Sequence, residues 1–389
     1  MKFVIERDVL AEAVAWVARS LPTRPSVPIL SGIKISVTKD QVVFESFDYE
    51  TSARVVVPAA VERQGETLVS GKLLAEIARS LPKMKVEFTV GENAAELVCG
   101  KASFTLQTMP TDEYPALPQL PEAAGTVTAE EFASALTQVV VAAGRDELLP
   151  IFTGVRMEIS SEQMALLATD RYRMALRELP WNANVREEVA ALVPAKTLLD
   201  AAKSLSASDL LTISLAAEAM GDGIIGLHGK RGEDATFEVT TRLLDGDFPK
   251  LRHLMEITPL VTVRANTAEL MAAVKRVGLV AERNTSMRML IDFGAITLEA
   301  ATGDTAYAIE TLEAVVEDKV GDGLSIVQAG FNPAYLHDAL SVVETPYVNF
   351  SFTQPGKPCV ITQIEEIDGE EVPGYRHVIM LMRLPVQPE

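Results

Sequence analysis

One pattern returns three times along this chain, at a period of about 130 residues, and that repeat limits the possible folds more sharply than any other feature. Each copy opens with a short apolar strand and then a helix with apolar residues at i, i+4 and i+7: Leu10, Val14, Val17; Phe132, Leu136, Val139; Leu270, Val274, Val277. That spacing gives each helix one apolar stripe, which must be buried against something flat. In the first two copies, Ser31-Gly32-Ile33-Lys34-Ile35 and Thr153-Gly154-Val155-Arg156-Met157 begin alternating strands, and an aspartate follows each glycine by 16 residues, at Asp48 and Asp170. The third copy runs parallel but shorter, through Leu290-Ile291-Asp292-Phe293 to Thr302-Gly303-Asp304. A second helix recurs with closer identity, Lys72 to Leu81 against Lys196 to Leu205, and its third version, from Asn332 to Val343, keeps Leu336 and Asp338 but has no Lys or Arg.

Copies one and two also end alike, with Glu113-Tyr114-Pro115-Ala116-Leu117 and Asp247-Phe248-Pro249-Lys250-Leu251, and the proline-rich stretches near 110 to 121 and 249 to 259 read as linkers. The expected architecture is therefore α+β: three tandem units, each with two helices packed on antiparallel sheets. The expected boundaries are 1–121, 122–257 and 258–389.

Charge is distributed along the same repeat. The chain carries −19 at neutral pH, which by itself argues against a nucleic-acid binder. Yet the six expected helices, taken as 8–24, 71–85, 128–146, 194–208, 266–284 and 332–343, sum to +2 and leave −21 for the remainder. Lys72 and Arg79 lie seven apart on one helical face, Lys196 and Lys203 repeat the pair, and Arg276 and Arg283 keep the interval. Any one pair is also what a solvated surface helix shows. An acidic body with a weakly basic helical face suits a protein that keeps DNA without gripping it, since few phosphate contacts give weak, salt-sensitive binding.

Several other classes fall away. The start, Lys2 followed soon by Glu6, Arg7 and Asp8, has no signal-peptide core, and no apolar run approaches membrane-spanning length, so a cytoplasmic protein is expected. Cys99 and Cys359 stand 260 positions apart without a nearby histidine, and His228, His253, His337 and His377 show no metal-ligand spacing, so neither metal nor cofactor is expected. Gly221-Asp222-Gly223-Ile224-Ile225-Gly226 fits GxGxxG but leads into a strand, which makes it a hairpin turn. Asp170, flanked by Arg171 and Arg173, is read as a turn residue because Asp48 recurs without those arginines. Trp16 is expected in the core and Trp181 at the surface. No Walker or nucleophile motif appears.

At this point several segments, in order and on a triplicated background, resemble the bacterial DNA polymerase III beta subunit, or beta sliding clamp, family across the whole chain. They are Arg24 to Leu30, Ala168 to Ala175, Asp247-Phe248-Pro249, Phe331-Asn332-Pro333 and Met380 to Leu384. The resemblance implies a non-catalytic processivity factor: a head-to-tail homodimer, six domains in a ring around double-stranded DNA, helices inside and sheets outside. It also implies a cleft between the second and third units that takes short peptides of the polymerase alpha subunit, the clamp loader and other partners. On this sequence the cleft maps to Phe152, Thr169, Tyr172, Arg173, Met174, Pro249, His253, Leu254, Val378, Met380, Met382, Arg383 and Leu384. Aromatic, Met and Arg anchors suit such a pocket. The chain departs from the family pattern at Arg171-Tyr172, where Gly-His is common, at Leu381, where proline is common, and in its tail from Pro385 to Glu389.

The expected phosphate contacts are Arg24, Lys72, Arg79, Arg145, Lys196 and Lys203, without base readout, and the expected dimer contacts are Phe104 and Leu106 against Leu279 and Val280. The rival reading is an acidic repeat scaffold that binds proteins and not DNA, with an unrecognised hydrolase behind it.

Overall fold

The computed structural model describes residues 1–185, 187–215, 223–232, 234–282, 285–303, 305–319 and 324–384. Arg283, Asp304, the first two residues of the Gly221 turn and the tail from Pro385 lie outside the described residues.

Unit 1 comprises β1 (Lys2–Glu6), α1 (Arg7–Val17), β2 (Gly32–Val37), β3 (Gln41–Phe47), β4 (Thr51–Pro58), β5 (Ala60–Arg63), β6 (Gly65–Ser70), α2 (Gly71–Ser80), β7 (Lys85–Val90), β8 (Ala94–Cys99) and β9 (Ala102–Met109). Unit 2 follows with β10 (Ala123–Thr128), α3 (Ala129–Val140), β11 (Gly154–Ile159), β12 (Gln163–Thr169), β13 (Arg173–Pro180), β14 (Asn182–Ala183), β15 (Val189–Pro194), α4 (Ala195–Leu205), β16 (Leu210–Leu215), β17 (Ile224–Arg231) and β18 (Ala235–Arg242). Unit 3 has β19 (Val261–Asn266), α5 (Thr267–Val277), β20 (Met287–Asp292), β21 (Ala295–Thr302), β22 (Ala306–Glu313), β23 (Val315–Asp318), β24 (Gln328–Phe331), α6 (Pro333–Leu340), β25 (Tyr347–Phe352), β26 (Cys359–Ile364) and β27 (Tyr375–Ile379).

The strand orders repeat with the sequence. Unit 1 orders its strands 5-1-7-8-9 and 6-2-3-4; adding nine, then eighteen, to each number gives the orders of units 2 and 3. All the ladders are antiparallel. The units then fuse edge to edge: β4 pairs with β18, with Val55 opposite Phe237, and β13 pairs with β27, with Met174 opposite Val378.

The helical stripes do what their spacing requires. All nine stripe residues of the first helices are buried, and each such apolar side chain contributes about 1.5–3 kcal/mol by leaving water. The helices are shorter than the sequence suggests. Pro82 forces Leu81 into extended backbone (φ −61°, ψ 148°) and ends α2 at Ser80. In unit 3, Asn266 accepts from the Glu269 amide and Asn332 from the Ala334 and Tyr335 amides, so both helices start on a true N-cap. Trp16 is buried as expected, but Trp181 is buried too: its ring covers Gly125, and its Nε1 donates to the Ser160 carbonyl at 2.9 Å. An indole that finds a carbonyl has no reason to stay in water.

Candidate functional site

The junction of units 2 and 3 is organised by the turn after β12. Asp170 Oδ1 accepts from the amides of Tyr172 and Arg173 at 3.0 Å each, as Asp48 Oδ1 does from Glu50 (2.9 Å) and Thr51 (2.6 Å) in unit 1. The recurring aspartate is thus a turn residue. Both turns hold their second residue at positive φ, Tyr49 at 75° and Arg171 at 81°, backbone that most side chains avoid. In unit 2 this strained turn aims Arg171 over the rings of Phe152 and Tyr172, 5.8 and 5.7 Å from their centroids.

Arg173 is locked below that turn. Its Nε donates to Asp170 Oδ2 at 2.9 Å, its Nη1 to Asp338 Oδ2 at 2.7 Å across the junction, and its guanidinium lies 4.3 Å from the Tyr335 ring centroid. With 5% of its side chain exposed, its charge is spent inside the protein, so of the two arginines expected in the cleft only Arg383 is exposed. On β27, the strand paired with β13, His377 is fully buried with Nε2 unpartnered among the described residues, and burial, then the Arg173 charge, push its pKa down to about 3.

The expected cleft residues converge here. Thr169, Met174 and Val378 are buried, and Thr169 Oγ1 donates to the Arg173 carbonyl at 2.7 Å. Met174 and Val378 belong to one apolar cluster with Phe248 and Met255, against which Leu254 packs. The terminal segment threads between units, Met380 N donating to the Tyr172 carbonyl and Met382 N to that of Gly330, both at 2.8 Å. Phe152, Pro249, Met380, Met382 and Leu384 stay partly open above this floor, and Tyr172 and His253 are exposed. Beside them is a cavity of about 340 Å³ lined by Phe152, Arg171, Tyr172 and Tyr335. The connector is fastened from both sides: Arg252 donates to Glu158 (3.1 Å) and Glu178 (3.0 Å) of unit 2, and Arg376 of unit 3 donates to the Met255 carbonyl (3.2 Å).

The equivalent place between units 1 and 2 is built differently. Asp48, Thr51, Lys196, Thr197 and Asp200, the counterparts of Asp170, Arg173, Ala334, Tyr335 and Asp338, line a cavity of about 570 Å³ together with Trp16, Arg19 and Lys203. Lys196 and Lys203, a phased pair in the sequence, do face one site, and Arg19 joins them. All six expected phosphate contacts, Arg24, Lys72, Arg79, Arg145, Lys196 and Lys203, are exposed, and none forms an ion pair among the described residues. Arg145 stands apart from the helical pairs, on the rim of the smaller cavity.

Of the expected dimer residues, Phe104 is part-exposed, Leu279 is 81% exposed and Val280 is intermediate. Leu106 is already buried in its own unit's core, so it supports this edge from behind. Sequence reasoning missed Tyr335 and Asp338, the far side of the Arg173 lock, and Tyr307 and Ile309, exposed on the open strand β22. The alternating exposure along β22 was not available in the sequence, where Ala306-Tyr307-Ala308-Ile309 is a continuous apolar run. Among the described residues no His, Cys, Asp and Glu cluster could hold a metal, and no helix is long and apolar enough to cross a membrane.

Comparison with known proteins matches three family models in tandem: the DNA polymerase III beta subunit N-terminal domain over residues 1–118, its central domain over 126–250 and its C-terminal domain over 259–382. The beta sliding clamp of Streptomyces coelicolor is 47% identical over 385 residues, covering 99% of this chain and all of that protein. That of Micrococcus luteus is 44% identical over 320 residues, 82% of this chain and all of that protein. Among solved structures, the DNA polymerase sliding clamp of Bacillus subtilis superposes with a TM-score of 0.87 at 27% identity, covering 99% of this chain and all of the other.

Proposed function

The chain belongs to the DNA polymerase III beta subunit family, the beta sliding clamps, and is a DNA sliding clamp and non-catalytic processivity factor; from that premise we propose that it acts in the bacterial cytoplasm as half of a closed ring. The observation that carries this reading is the fate of the edge strands. At both internal junctions the strand at the end of one unit's smaller sheet, β4 or β13, pairs with the last strand of the next unit, β18 or β27. Two equivalents are left over, β22 at one end of the chain and, at the other, the outer side of β9 from Ala102 to Gln107, its last two residues, Thr108 and Met109, being paired with Val69 and Leu68 of β6. Open edges of this kind invite pairing, and β22 also exposes the large apolar side chains Tyr307 and Ile309, with Leu279 exposed on the turn that contacts it. Head-to-tail pairing of β22 with β9 of a second copy satisfies both ends at once and closes after two copies if each junction turns the chain by the same angle. Phe104 then meets the Leu279 and Val280 region.

Inside such a ring the six exposed cations and Arg19 meet phosphates in any sequence. The domain limits that this reading uses are 1–121, 122–257 and 258–389, and the clefts between units 2 and 3 receive peptides from the polymerase alpha subunit, clamp loader and other partners, with Leu254, Met380 and Phe152 as apolar walls. Sedimentation of Phe104→Asp tests the assembly. The wild-type chain should run as a dimer at micromolar concentration and the variant as a monomer; an undisturbed dimer places the interface elsewhere.

A further inference from the structure

The two junctions within the chain share a hydrogen bond that predicts a third, between chains. Trp16, Gln138 and Arg276 occupy one helical position, two residues after the stripe residues Val14, Leu136 and Val274. Trp16 Nε1 donates to the carbonyl of Ser204 at 3.2 Å, and Gln138 Nε2 donates to that of Val342 at 3.3 Å. Ser204 and Val342 are themselves equivalent, each six residues beyond the leucine that buries the second helix of the following unit, Leu198 or Leu336. The residue six beyond Leu74 is Ser80, the last of α2. We infer that Arg276 closes the protomer junction by donating to the carbonyl of Ser80 of the partner subunit, an inference that rests on the head-to-tail dimer proposed above and adds its polar fastening.

The geometry of Arg276 suits this role. Its Nε donates to Glu310 Oε2 at 3.0 Å and its Nη2 to Oε1, so the carboxylate on β22 orients the guanidinium and leaves Nη1 without a partner among the described residues. Asp170 holds Arg173 through Nε in the same way, and there the remaining Nη1 does reach across the junction. The acceptor is favourable, since carbonyls in a helix's last turn lack partners in the helix and carry the negative end of its dipole.

The change from neutral to charged donor also has a reason. Trp16 and Gln138 are buried, 4% and 1% exposed, and separating their junctions would bring the indole ring into water and break both hydrogen bonds. Arg276, with 59% of its side chain exposed in the single chain, stays in contact with water when its junction is apart, and forms a charge-assisted bond when it meets. Of the three junctions, the one between chains is therefore the one whose fastening tolerates being open.

Dilution sedimentation of the wild-type chain and of Arg276→Ala, Arg276→Gln and Phe104→Asp, at low and high salt, tests this. Arg276→Ala should raise the dimer Kd about tenfold or more, with the melting temperature of the monomer unchanged. Arg276→Gln should hold an intermediate Kd with a weaker salt dependence than the wild type, since a glutamine makes the bond at position 138. Wild-type Kd in Arg276→Ala, with Phe104→Asp monomeric, would overturn the Arg276 inference and leave the dimer standing; a wild-type chain that is monomeric throughout would overturn both.

Discussion

At the junction of units 2 and 3, Arg173 sits between Asp170 and Asp338 and stacks on Tyr335; at the junction of units 1 and 2, the same place holds Thr51, with Asp48 and Asp200 lining an open cavity. The backbone is the same in both, down to the aspartate turn and its residue at positive φ. The apolar parts differ as well. Units 1 and 2 share one continuous core, whereas units 2 and 3 keep separate cores bridged by a small cluster under the connector. One junction hides its charge and shows apolar surface, which suits a peptide; the other hides its apolar surface and leaves Lys196, Lys203 and Arg19 in water, which suits phosphate. On the proposed reading, a few side chains divide the repeat between two ligands without changing its frame.

The comparison breaks most visibly at Arg173. Replacing it by Met leaves two carboxylates facing each other without a counter-ion and should cost about 3 kcal/mol in denaturant unfolding. The equivalent change at Thr51, to Val, should stay within about 1 kcal/mol. Equal effects would mean that the lock does not distinguish the two junctions.

Acid sharpens the contrast next. His377 on β27 stands where β18 has Val239, each opposite an equivalent alanine, Ala175 or Ala53. The folded protein keeps this imidazole neutral down to about pH 3, while an unfolded chain protonates it near 6.5. The stability it contributes is therefore complete above pH 6.5 and is lost as the pH falls toward 3. Between pH 7 and 5, where most carboxylates are still ionised, the wild type should lose about 2 kcal/mol. His377→Val should lose little over that range, and an unchanged pH slope would show that this histidine is not the acid-sensitive element.

The smallest effect is at the open junction. Lys196→Gln with Lys203→Gln should weaken DNA association about tenfold, equally for every sequence, and lower the slope of log affinity against log salt by roughly one unit per lost contact. Thermal stability should not move, because neither lysine is in an ion pair among the described residues. A loss confined to some sequences would argue for base readout.

Much of this was legible in the sequence because it is local. The helical stripes, the aspartate turns and the phased Lys196 and Lys203 all declare themselves within one or two turns of chain. The threefold frame followed from repetition alone. What the sequence hid lies in pairs far apart along it. Arg173 reads as an available cleft arginine until Asp338, 165 positions away, comes beside it. The basic cavity needed Arg19 from unit 1 to meet Lys196 and Lys203 from unit 2, and no spacing rule links them. Trp181 looked like surface because the groove at Gly125 that receives it is formed by another strand.

The central claim is that DNA is kept by enclosure and not by grip, and loading the protein onto nicked circular DNA tests it directly. On the circle the protein should remain bound through gel filtration in salt that abolishes binding to short linear duplexes, and a single restriction cut should release it. Retention after linearisation, or loss from the intact circle at the same salt, would contradict the account.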